Sequence, residues 1–331
     1  MTSPLALLQP NVPSCSTKPG PVGGRLSSFA DAWRRRGCSP LNVKIIANGF
    51  RLKFLDPPVL SSTPFEFPMR KDEVPLLWKE AMDMVQKGAV AILPPSPTPT
   101  GFYSRLFLVP KGADGFRPII DLSTLNQYLV CPSFRMDTQE SIRHQLQRGD
   151  WTTSLDLKDA YFHLAVHPSS RRFMRFVLKK TVFEFKALPF GLSPAPWIFT
   201  MIMSEVKAMA HSMNVKLYQY LDDWLIVDSS RQAVAEKTRF LVNLCTQLGL
   251  VINFPKSDLT PAQDFEFLGY HYDLKNFMVR PTAPKVLILR ERILLLLQGE
   301  GGSARRWLSV IGTMESLWRL IPWSRLQIRV L

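Results

Sequence analysis

Two adjacent carboxylates stand in the middle of a largely apolar segment. Asp222 and Asp223 lie in LYQYLDDWLIV, which covers residues 217–227. Like charges repel each other, and a buried charge without a partner is costly, so this pair needs a cation nearby. Mg²⁺ meets that need, because it binds through one or two carboxylates and completes its shell with water and substrate phosphates. The pair therefore indicates metal-dependent chemistry on a phosphorylated substrate.

A two-metal phosphoryl-transfer site needs a third carboxylate close to this pair. Asp156 in SLDLKDAYF is the first candidate, because it stands at the end of an apolar strand. Asp150 and Asp159 are alternatives, although a helix or turn after the strand would carry Asp159 away. A different interpretation places Asp222 and Asp223 in an ordinary surface turn, where Asp is common. The apolar strands around the pair and the acidic strand end upstream favour the metal site.

A β-hairpin is the element that must position the two adjacent aspartates. KLYQYLDDWLIVDSS predicts a strand, a turn at the aspartates and a second strand, so both side chains leave the apolar sheet. WTTSLD predicts the strand that ends at Asp156. Further strand pairs are predicted in SRLFLVPK with GFRPIIDL, in FMRFVLKKTVFEFKAL with a turn near Lys179 and Lys180, and in DFEFLGYHYDLKNFMVR.

Helices are predicted between these strands from apolar spacing and from residues that begin or end helices. Residues 71–88 predict a helix that Gly88 closes, and SPAPWIFTMIMSEVKAMAHSM predicts one entered through Pro194. RQAVAEKTRFLVNLCTQLGLVIN predicts a helix followed by a strand, and two amphipathic helices are expected over residues 284–298 and 303–320. Since helices and strands intermingle without a strict βαβ alternation, the predicted fold class is α+β.

The composition of the chain points to a polyanionic partner. Its 331 residues carry 41 Lys and Arg against 27 Asp and Glu, a formal net charge of +14 at pH 7. Such an excess favours nucleic acid or an anionic membrane surface as the partner, with a merely basic soluble protein as the alternative. Residues 1–28 are rich in Pro, Ser and Gly, and residues 1–60 are predicted to be a flexible or linker region.

The cysteines and the apolar runs favour a location inside the cell. Cys15, Cys38, Cys131 and Cys245 are far apart and form no CxxC pair, which argues against a disulfide framework or a zinc site. The N-terminus shows no charged segment followed by an apolar run, so no signal peptide is predicted. The longest apolar run, LILRERILLLL, contains three charges and is too short to span a bilayer. We therefore expect an intracellular protein, cytoplasmic or nuclear, that is not secreted and has no transmembrane segment.

Six segments resemble, in the same order, the motifs of reverse transcriptases from retroelements. They are VPKGADGFRPIIDLSTLN at 109–126, SLDLKDAYFHLAVHP at 154–168, LPFGLSPAPWIFT at 188–200, YLDD at 220–223, LGLVINFPKSDL at 248–259 and FLGYHYDL at 267–274. LPFGL together with YLDDWLIV, and the lead GGRLSSFADAW, is most similar to the DIRS-like retrotransposons, which carry a tyrosine recombinase. The resemblance implies a right-hand polymerase, with fingers and palm over residues 61–280 and a partial thumb or connection over residues 281–331.

The resemblance implies a role for each residue of the metal site. Asp156 and Asp222 would bridge two Mg²⁺ ions, for which Mn²⁺ could substitute, and Asp223 would complete the site. Lys256 in NFPKSDL matches the lysine proposed to protonate the leaving pyrophosphate. The segment FLGY, which as plain sequence also suits a buried strand, matches the primer grip with Phe267, Leu268, Gly269 and Tyr270.

The resemblance also implies a set of nucleotide-binding residues. Lys111 and Arg117 match the pair in the fingers that clamps the triphosphate, and Tyr161 matches the aromatic residue that excludes a 2′-hydroxyl. Phe190 and Gly191 match the loop on the template side, but retroviral members carry Gln where this chain has Phe190. Without the resemblance, the two cations would be interpreted as solvated loop residues and Tyr161 as a core residue.

The implied reaction is RNA-directed DNA synthesis, which extends a DNA primer on an RNA or DNA template with deoxynucleoside triphosphates. The chain is expected to stop before a ribonuclease H domain, which the element would encode elsewhere together with its recombinase. The alternative is a catalytically inactive, transposon-derived fragment that binds nucleic acid. Two other features carry less weight. His163 and His167 have the spacing of a helical metal pair, but their segment is interpreted as a strand and no third ligand is nearby. Five Arg and three Trp residues between 305 and 329 suit either a phosphate backbone or a solvated helix face.

Overall fold

The chain forms two compact units, each assembled from separate stretches of sequence. The computed structural model describes residues 20–94, 100–110, 115–298, 303–317 and 320. The first unit comprises Met1–Met136, Leu155–Trp224 and Lys237–Ser257, and the second comprises Asp137–Ser154, Leu225–Glu236 and Asp258–Leu331.

Helices in the described part of the chain occur from the N-terminal region to the C-terminal region. They are α1 Ala30–Arg35, α2 Pro40–Asn48, α3 Val74–Gln86, α4 Ser123–Asn126, α5 Gln139–Gln145, α6 Pro168–Arg171, α7 Ala195–Ser212, α8 Arg231–Gln247, α9 Ala283–Leu297 and α10 Ala304–Glu315. The predicted helices over 71–88, after Pro194 and near the C-terminus are confirmed. None of these helices is both long and apolar enough to cross a bilayer.

The strands pair into four small sheets. They are β1 Val90–Ile92, β2 Leu106–Pro110, β3 Phe116–Ile120, β4 Trp151–Asp156, β5 Arg175–Leu178, β6 Thr181–Phe185, β7 Lys216–Tyr220, β8 Asp223–Asp228, β9 Asp258–Ala262, β10 Asp264–Phe267, β11 Tyr270–Asp273 and β12 Met278–Pro281. Among the described residues the strand orders are β1-β6-β5, β2-β3, β7-β8-β4-β9 and β10-β11-β12. The pairs β1–β6, β5–β6, β2–β3, β4–β9, β10–β11 and β11–β12 are antiparallel. Helices and antiparallel sheets together confirm the α+β class.

Residues 20–60 are ordered, whereas the sequence predicts a flexible or linker region over residues 1–60, of which residues 1–19 lie outside the described residues. A 3-10 turn at Arg25–Phe29 leads into α1 and α2 of the first unit. Leu26 and Trp33 are completely buried, and the Trp33 indole N–H donates to the Leu248 carbonyl at 2.9 Å. The prediction was wrong for the described part because isolated apolar residues among many Pro, Ser and Gly residues find partners far along the chain.

The hairpin of β7 and β8 places the adjacent aspartates where the sequence predicts them. Its turn consists of Leu221 and Asp222, and Asp223 is the first residue of β8. Leu221 adopts a left-handed backbone conformation with φ 55°, and the buried Trp224 indole donates to its carbonyl at 2.9 Å. Because Trp224–Val227 are completely buried, β8 anchors the turn while Asp222 stays partly exposed.

A buried ion pair joins β5 and β6 in the first unit. Arg175 and Glu184 are directly opposite each other in the antiparallel register. The Arg175 Nε and Nη2 atoms donate to the same Glu184 carboxylate oxygen at 2.8 and 2.6 Å, and Nη1 donates to the Thr100 carbonyl at 3.0 Å. Gly101 leaves room for this guanidinium, since a Cβ there would lie 2.7 Å from Arg175 Nη1. The hairpin turn of this pair falls at Lys179 and Lys180, as predicted, and both have positive φ.

His163 is a buried link between two parts of the first unit. The sequence places it in a strand, but Ala160–His163 form a 3-10 turn. The His163 Nε2 atom accepts from the Val251 amide at 3.0 Å, so the proton must be on Nδ1, which lies 3.0 Å from the Ala160 carbonyl. Complete burial lowers its pKa from 6.5 to about 4. His167 instead lies near the surface, so the two histidines do not form a metal pair.

We expect acid to destabilise the protein through His163. Below pH 6.5 the unfolded chain takes up a proton that the folded ring, with its pKa of about 4, does not accept. Stability is therefore lost as the pH falls from 6.5 towards 4, by about 3 kcal/mol at the lower limit. Urea titrations of the wild type and of His163→Gln would test this, because glutamine can donate and accept in the same places without titrating. The prediction would be contradicted if the wild type and His163→Gln lost the same free energy of unfolding between pH 6.5 and 4. His211→Gln, at the exposed end of α7, is the matched control.

The second unit contains the β10–β12 sheet and the last two described helices. Tyr270 and Tyr272 in β11 are buried, and the Tyr270 hydroxyl donates to the Ser316 carbonyl after α10. In α10 the side chains of Arg305, Arg306 and Trp307 are exposed. The remaining Trp and Arg residues of the C-terminal prediction, from Trp318 to Arg329, lie outside the described residues.

Candidate active site

The end of β4 lies beside the turn of the β7–β8 hairpin. The Leu157 amide donates to the Asp222 carbonyl at 3.0 Å, which brings Asp156 next to Asp222. Both residues and Asp223 are partly exposed, although the strands that carry them are buried. Asp156 is therefore the third carboxylate of the group.

Neither alternative carboxylate joins this group. Asp159 follows the strand at φ 50°, and its carboxylate lies 3.2 Å from the Lys87 ammonium group, which also pairs with Asp83 at 2.9 Å. Asp150 belongs to the second unit, where its buried carboxylate accepts from the Gln147 amide at 2.9 Å. Both alternatives thus have structural partners of their own.

Burial and repulsion within the group raise the pKa values of two carboxyls. Burial, and then the charge of Asp156, raise the pKa of Asp222. Burial, and then the charges of Asp222 and Asp156, raise the pKa of Asp223 from 3.8 to about 6. Lys256 opposes both shifts, and Arg117 opposes that of Asp222. The three carboxylates therefore form a centre of negative potential that favours a cation.

A turn at Asn253–Ser257 surrounds Asp156. The Asn253 side-chain amide donates to Asp156 Oδ1 at 2.7 Å, and the Asp156 amide donates to the Ser257 hydroxyl at 3.0 Å. The strand predicted in LGLVIN is absent from this segment, where Ile252 makes only an isolated bridge to Leu157. Sequence analysis missed Asn253, although it lies in a matched motif three positions before Lys256.

Arg117 and two aromatic side chains form a stack beside the carboxylates. The Arg117 guanidinium lies 5.4 Å from the centre of the Phe190 ring, and that ring lies 5.0 Å from the ring of Tyr161. Tyr161 also meets Phe199 edge-on at 5.4 Å and is buried. Thus the Phe190 ring lies between the Arg117 guanidinium and the Tyr161 ring. Retroviral members carry Gln at the position of Phe190. Lys111, the second predicted clamp residue, lies outside the described residues.

Gly191 occupies a position that other residues would strain. Its φ is +95°, and a Cβ would lie 3.0 Å from the Ile120 carbonyl oxygen. The Asn126 side chain holds the same loop, donating to the Gly191 carbonyl at 2.8 Å and accepting from the Ser193 amide at 2.9 Å. Asn126 ends the motif at 109–126, but nothing in the sequence pattern indicates that it supports this loop.

One cleft in the first unit, with a volume of about 310 Å³, is lined by residues that include Asp156, Asp222, Asn253 and Arg117. Its walls include Phe190, whereas Tyr161 lies behind them. Its charged and amide residues are Glu80, Asp83, Lys87, Arg117, Asp156, Lys158, Asp159, Asp222, Asn253 and Lys256. The cleft therefore combines carboxylates for a cation with Arg and Lys for phosphate groups.

The residues of the site fit Mg²⁺ by their chemistry. The donors are carboxylate oxygens, which hard cations prefer, and a cation beside them would oppose the burial and repulsion that raise the pKa values of Asp222 and Asp223. Within the described part of the chain, no group of three or more His, Cys, Asp or Glu residues is arranged so that it could hold a metal ion by itself. Part of the coordination shell would therefore come from water and substrate, as is usual for Mg²⁺.

The predicted primer-grip residues form the β10–β11 hairpin of the second unit. Leu268 and Gly269 make its turn with φ of 48° and 78°, and Phe267 and Tyr270 are buried on either side. The Gln139 side chain donates to the Leu268 carbonyl, and the Lys285 ammonium group lies 4.7 Å from the centre of the Tyr270 ring. The four residues thus come together as a tight turn.

Comparison with known protein families identifies the fold. Residues 109–272 match the family described as reverse transcriptase (RNA-dependent DNA polymerase). The matched segment is thus similar to a reverse transcriptase domain. The match includes Asp156, Asp222 and Asp223 and the described cation Arg117.

Relatives of this chain occur in viruses and in transposons. Protein P of Duck hepatitis B virus is 26% identical over 196 residues, which are 57% of this chain and 25% of the viral protein. The Tf2-3 transposon polyprotein of Schizosaccharomyces pombe is 27% identical over 172 residues, which are 52% of this chain and 13% of the polyprotein. The chain therefore spans a quarter or less of the length of these relatives.

Solved structures show the same fold at low sequence identity. A foamy viral protease-reverse transcriptase in complex with double-stranded DNA has a TM-score of 0.65 and 13% identity, covering 88% of this chain and 52% of its own. The foamy viral enzyme in complex with an RNA/DNA hybrid has a TM-score of 0.64 and covers 88% of this chain and 40% of its own. The described chain thus has the right-hand polymerase fold of reverse transcriptases.

Proposed function

We propose that this chain is an RNA-directed DNA polymerase, which extends a DNA primer on an RNA or DNA template. The observation that carries the proposal is the close approach of Asp156 to the Asp222 turn, with Asp223 beside it and Arg117 and Lys256 acting on the same carboxylates. The substrates are a template-primer and deoxynucleoside triphosphates, and the cofactor is Mg²⁺, with Mn²⁺ as a substitute.

The carboxylates and cations of the site have different tasks in this reaction. Asp156, Asp222 and Asp223 hold the divalent cations and keep the negative potential that attracts them. When bound, Mg²⁺ supplies the positive charge that activates the primer 3′-hydroxyl and stabilises the pyrophosphate. Arg117 grips phosphate oxygens with its planar guanidinium, while its stacking on Phe190 sets the direction of that group. Lys256 donates a proton to the leaving pyrophosphate.

The wider assignments follow from the same motifs. We assign fingers and palm to residues 61–280 and the start of a thumb or connection to residues 281–331. The parent element is a retrotransposon of the DIRS-like type, as indicated by LPFGL with YLDDWLIV, and its ribonuclease H and recombinase are further activities of that element. The thiols of Cys38, Cys131 and Cys245 are free, which suits a reducing cellular compartment, cytoplasm or nucleus.

Primer extension by the purified chain tests this function. We expect labelled oligo(dT) on poly(rA) to be extended with dTTP and Mg²⁺, and extension to stop when EDTA removes the metal. Binding of the same template-primer is measured separately by fluorescence anisotropy. Binding without extension would contradict the polymerase and favour the alternative, a nucleic-acid-binding fragment. Absence of both would contradict each of them.

We expect Tyr161→Ala to weaken the discrimination between deoxynucleotides and ribonucleotides. Tyr161 supports Phe190 from behind, so its removal opens the wall that faces the sugar. Steric exclusion of one small group is worth about tenfold to a hundredfold in specificity. The measurement is the ratio of kcat/KM for dTTP and UTP on the same template-primer. Tyr161→Phe keeps the ring and should keep the ratio, and an unchanged ratio in Tyr161→Ala would contradict the assignment.

A further inference from the structure

Two residues of the turn at Asn253–Ser257 hold Asp156 through its backbone and its side chain. The Asn253 amide N–H donates to the Asp156 carbonyl at 2.8 Å, and the Asn253 side chain donates to Asp156 Oδ1 at 2.7 Å. The Ser257 hydroxyl accepts from the Asp156 amide at 3.0 Å and donates to the Asn253 carbonyl at 2.9 Å. The carboxylate of Asp156 is therefore fixed by a contact between residues 97 positions apart.

We propose that Asn253 is a positioning residue, which orients the Asp156 carboxylate for divalent-cation binding; this inference rests on the proposed polymerase function. The terminal torsion of an Asp side chain is broad, so a carboxylate without a fixed partner samples many orientations. The Asn253 bond occupies one lone pair of Oδ1 and thereby fixes the direction of Oδ2. Partners that hold a metal ligand in this way usually matter for metal affinity.

The chemistry of an amide suits this position better than a charged group does. Asn253 donates a hydrogen bond without neutralising Asp156, so the carboxylate keeps its full charge for the cation. A Lys or Arg in its place would compete with that cation. An Asp would add a fourth negative charge and could not donate while ionised.

The same turn also carries Lys256, the proposed proton donor. The amides of Lys256 and Ser257 both donate to the Asn253 carbonyl at 3.0 Å. One small element therefore sets the position of a metal ligand and of the group that protonates the leaving pyrophosphate. Nothing in the sequence around Asn253 indicates this role.

The test compares Asn253→Ala, Asn253→Asp and the matched control Asn243→Ala on the exposed face of α8. Mn²⁺ affinity is measured by electron paramagnetic resonance without nucleotide, and the Mg²⁺ concentration for half-maximal extension is measured separately. We expect Asn253→Ala to weaken Mn²⁺ binding and to raise the half-maximal Mg²⁺ concentration by about tenfold to a hundredfold. The Kd for template-primer should stay within twofold. Asn253→Asp should lower extension at least tenfold, since it cannot donate to Asp156.

Each alternative result has a definite meaning. Mn²⁺ affinity within twofold of wild type in Asn253→Ala would overturn the positioning role, and so would absence of Mn²⁺ binding by the wild type. If the wild type binds Mn²⁺ but does not extend a primer, the proposed function fails while the effect of Asn253 on Mn²⁺ is still decided. A general folding defect would lower the thermal midpoint. In that case Ser257→Thr, which keeps the hydroxyl, and Ser257→Ala, which removes it, must differ in Mn²⁺ affinity for the proposal to stand.

Discussion

Replacement of Asp222 with Asn is expected to lower the rate of primer extension by about a thousandfold or more, without unfolding the protein. Asn has nearly the same shape, but it removes one of the carboxylate charges that would hold the divalent cations in the proposed function. The fold should persist because Asp222 is partly exposed and its carbonyl, which accepts from the Leu157 amide, is unchanged. Removal of a repelling carboxylate can even raise stability slightly, since burial and the charge of Asp156 raise the pKa of Asp222.

Single-turnover extension with preformed template-primer complex is the measurement for this variant. It separates chemistry from substrate binding, and the Kd for template-primer should change little. Asp31→Asn is the matched control, because it makes the same change at an exposed carboxylate on α1. Extension by Asp222→Asn within tenfold of wild type would remove Asp222 from the metal site.

The second large effect is expected at the buried pair of Arg175 and Glu184. Glu184→Ala leaves the Arg175 guanidinium buried without its carboxylate, and such a change costs about 3–5 kcal/mol in the free energy of unfolding. The substitution removes the two bonds to Glu184, at 2.8 and 2.6 Å, while the bond from Arg175 Nη1 to the Thr100 carbonyl remains. Urea titration followed by circular dichroism measures the loss.

Two controls separate the buried charge from a general effect of substitution. Replacement of both partners, Arg175→Met with Glu184→Leu, should recover most of the lost stability, because no unpaired charge remains. Asp31→Ala breaks the exposed pair with Arg34 and should change the free energy by less than about 1 kcal/mol. If Glu184→Ala is as stable as Asp31→Ala, the pair does not stabilise the first unit.

The carboxylate hairpin is the feature that sequence alone predicts best. Its signals are local, because apolar residues on both sides of Asp222 and Asp223 permit only a buried strand pair with a polar turn. Asp156 is found by the same reasoning at a strand end. Sequence neighbours decide these elements, so no knowledge of the tertiary structure is needed.

Features that depend on distant contacts could not be predicted in this way. Asn253 acquires its importance from Asp156, and Trp33 is buried because the Leu248 carbonyl accepts its indole N–H. Local composition around Trp33 favours a flexible segment, but burial of a large aromatic side chain outweighs that preference. The segment that contains His163 is interpreted from sequence as a strand, whereas Ala160–His163 form a 3-10 turn, and the ring nitrogens of His163 lie against the distant Val251 amide and the Ala160 carbonyl.

The left-handed Leu221 in the catalytic turn has a consequence for engineering the protein. A branched residue at φ 55° is conformationally unfavourable, and glycine is the usual stabilising replacement at such positions. The Leu221 carbonyl accepts from the Trp224 indole, and glycine would keep this acceptor. Glycine at residue 221 would allow more turn conformations, so the conformation that aligns Asp222 would be less populated. Selection for thermostability and selection for activity should therefore favour different residues at this position, a trade-off typical of catalytic elements.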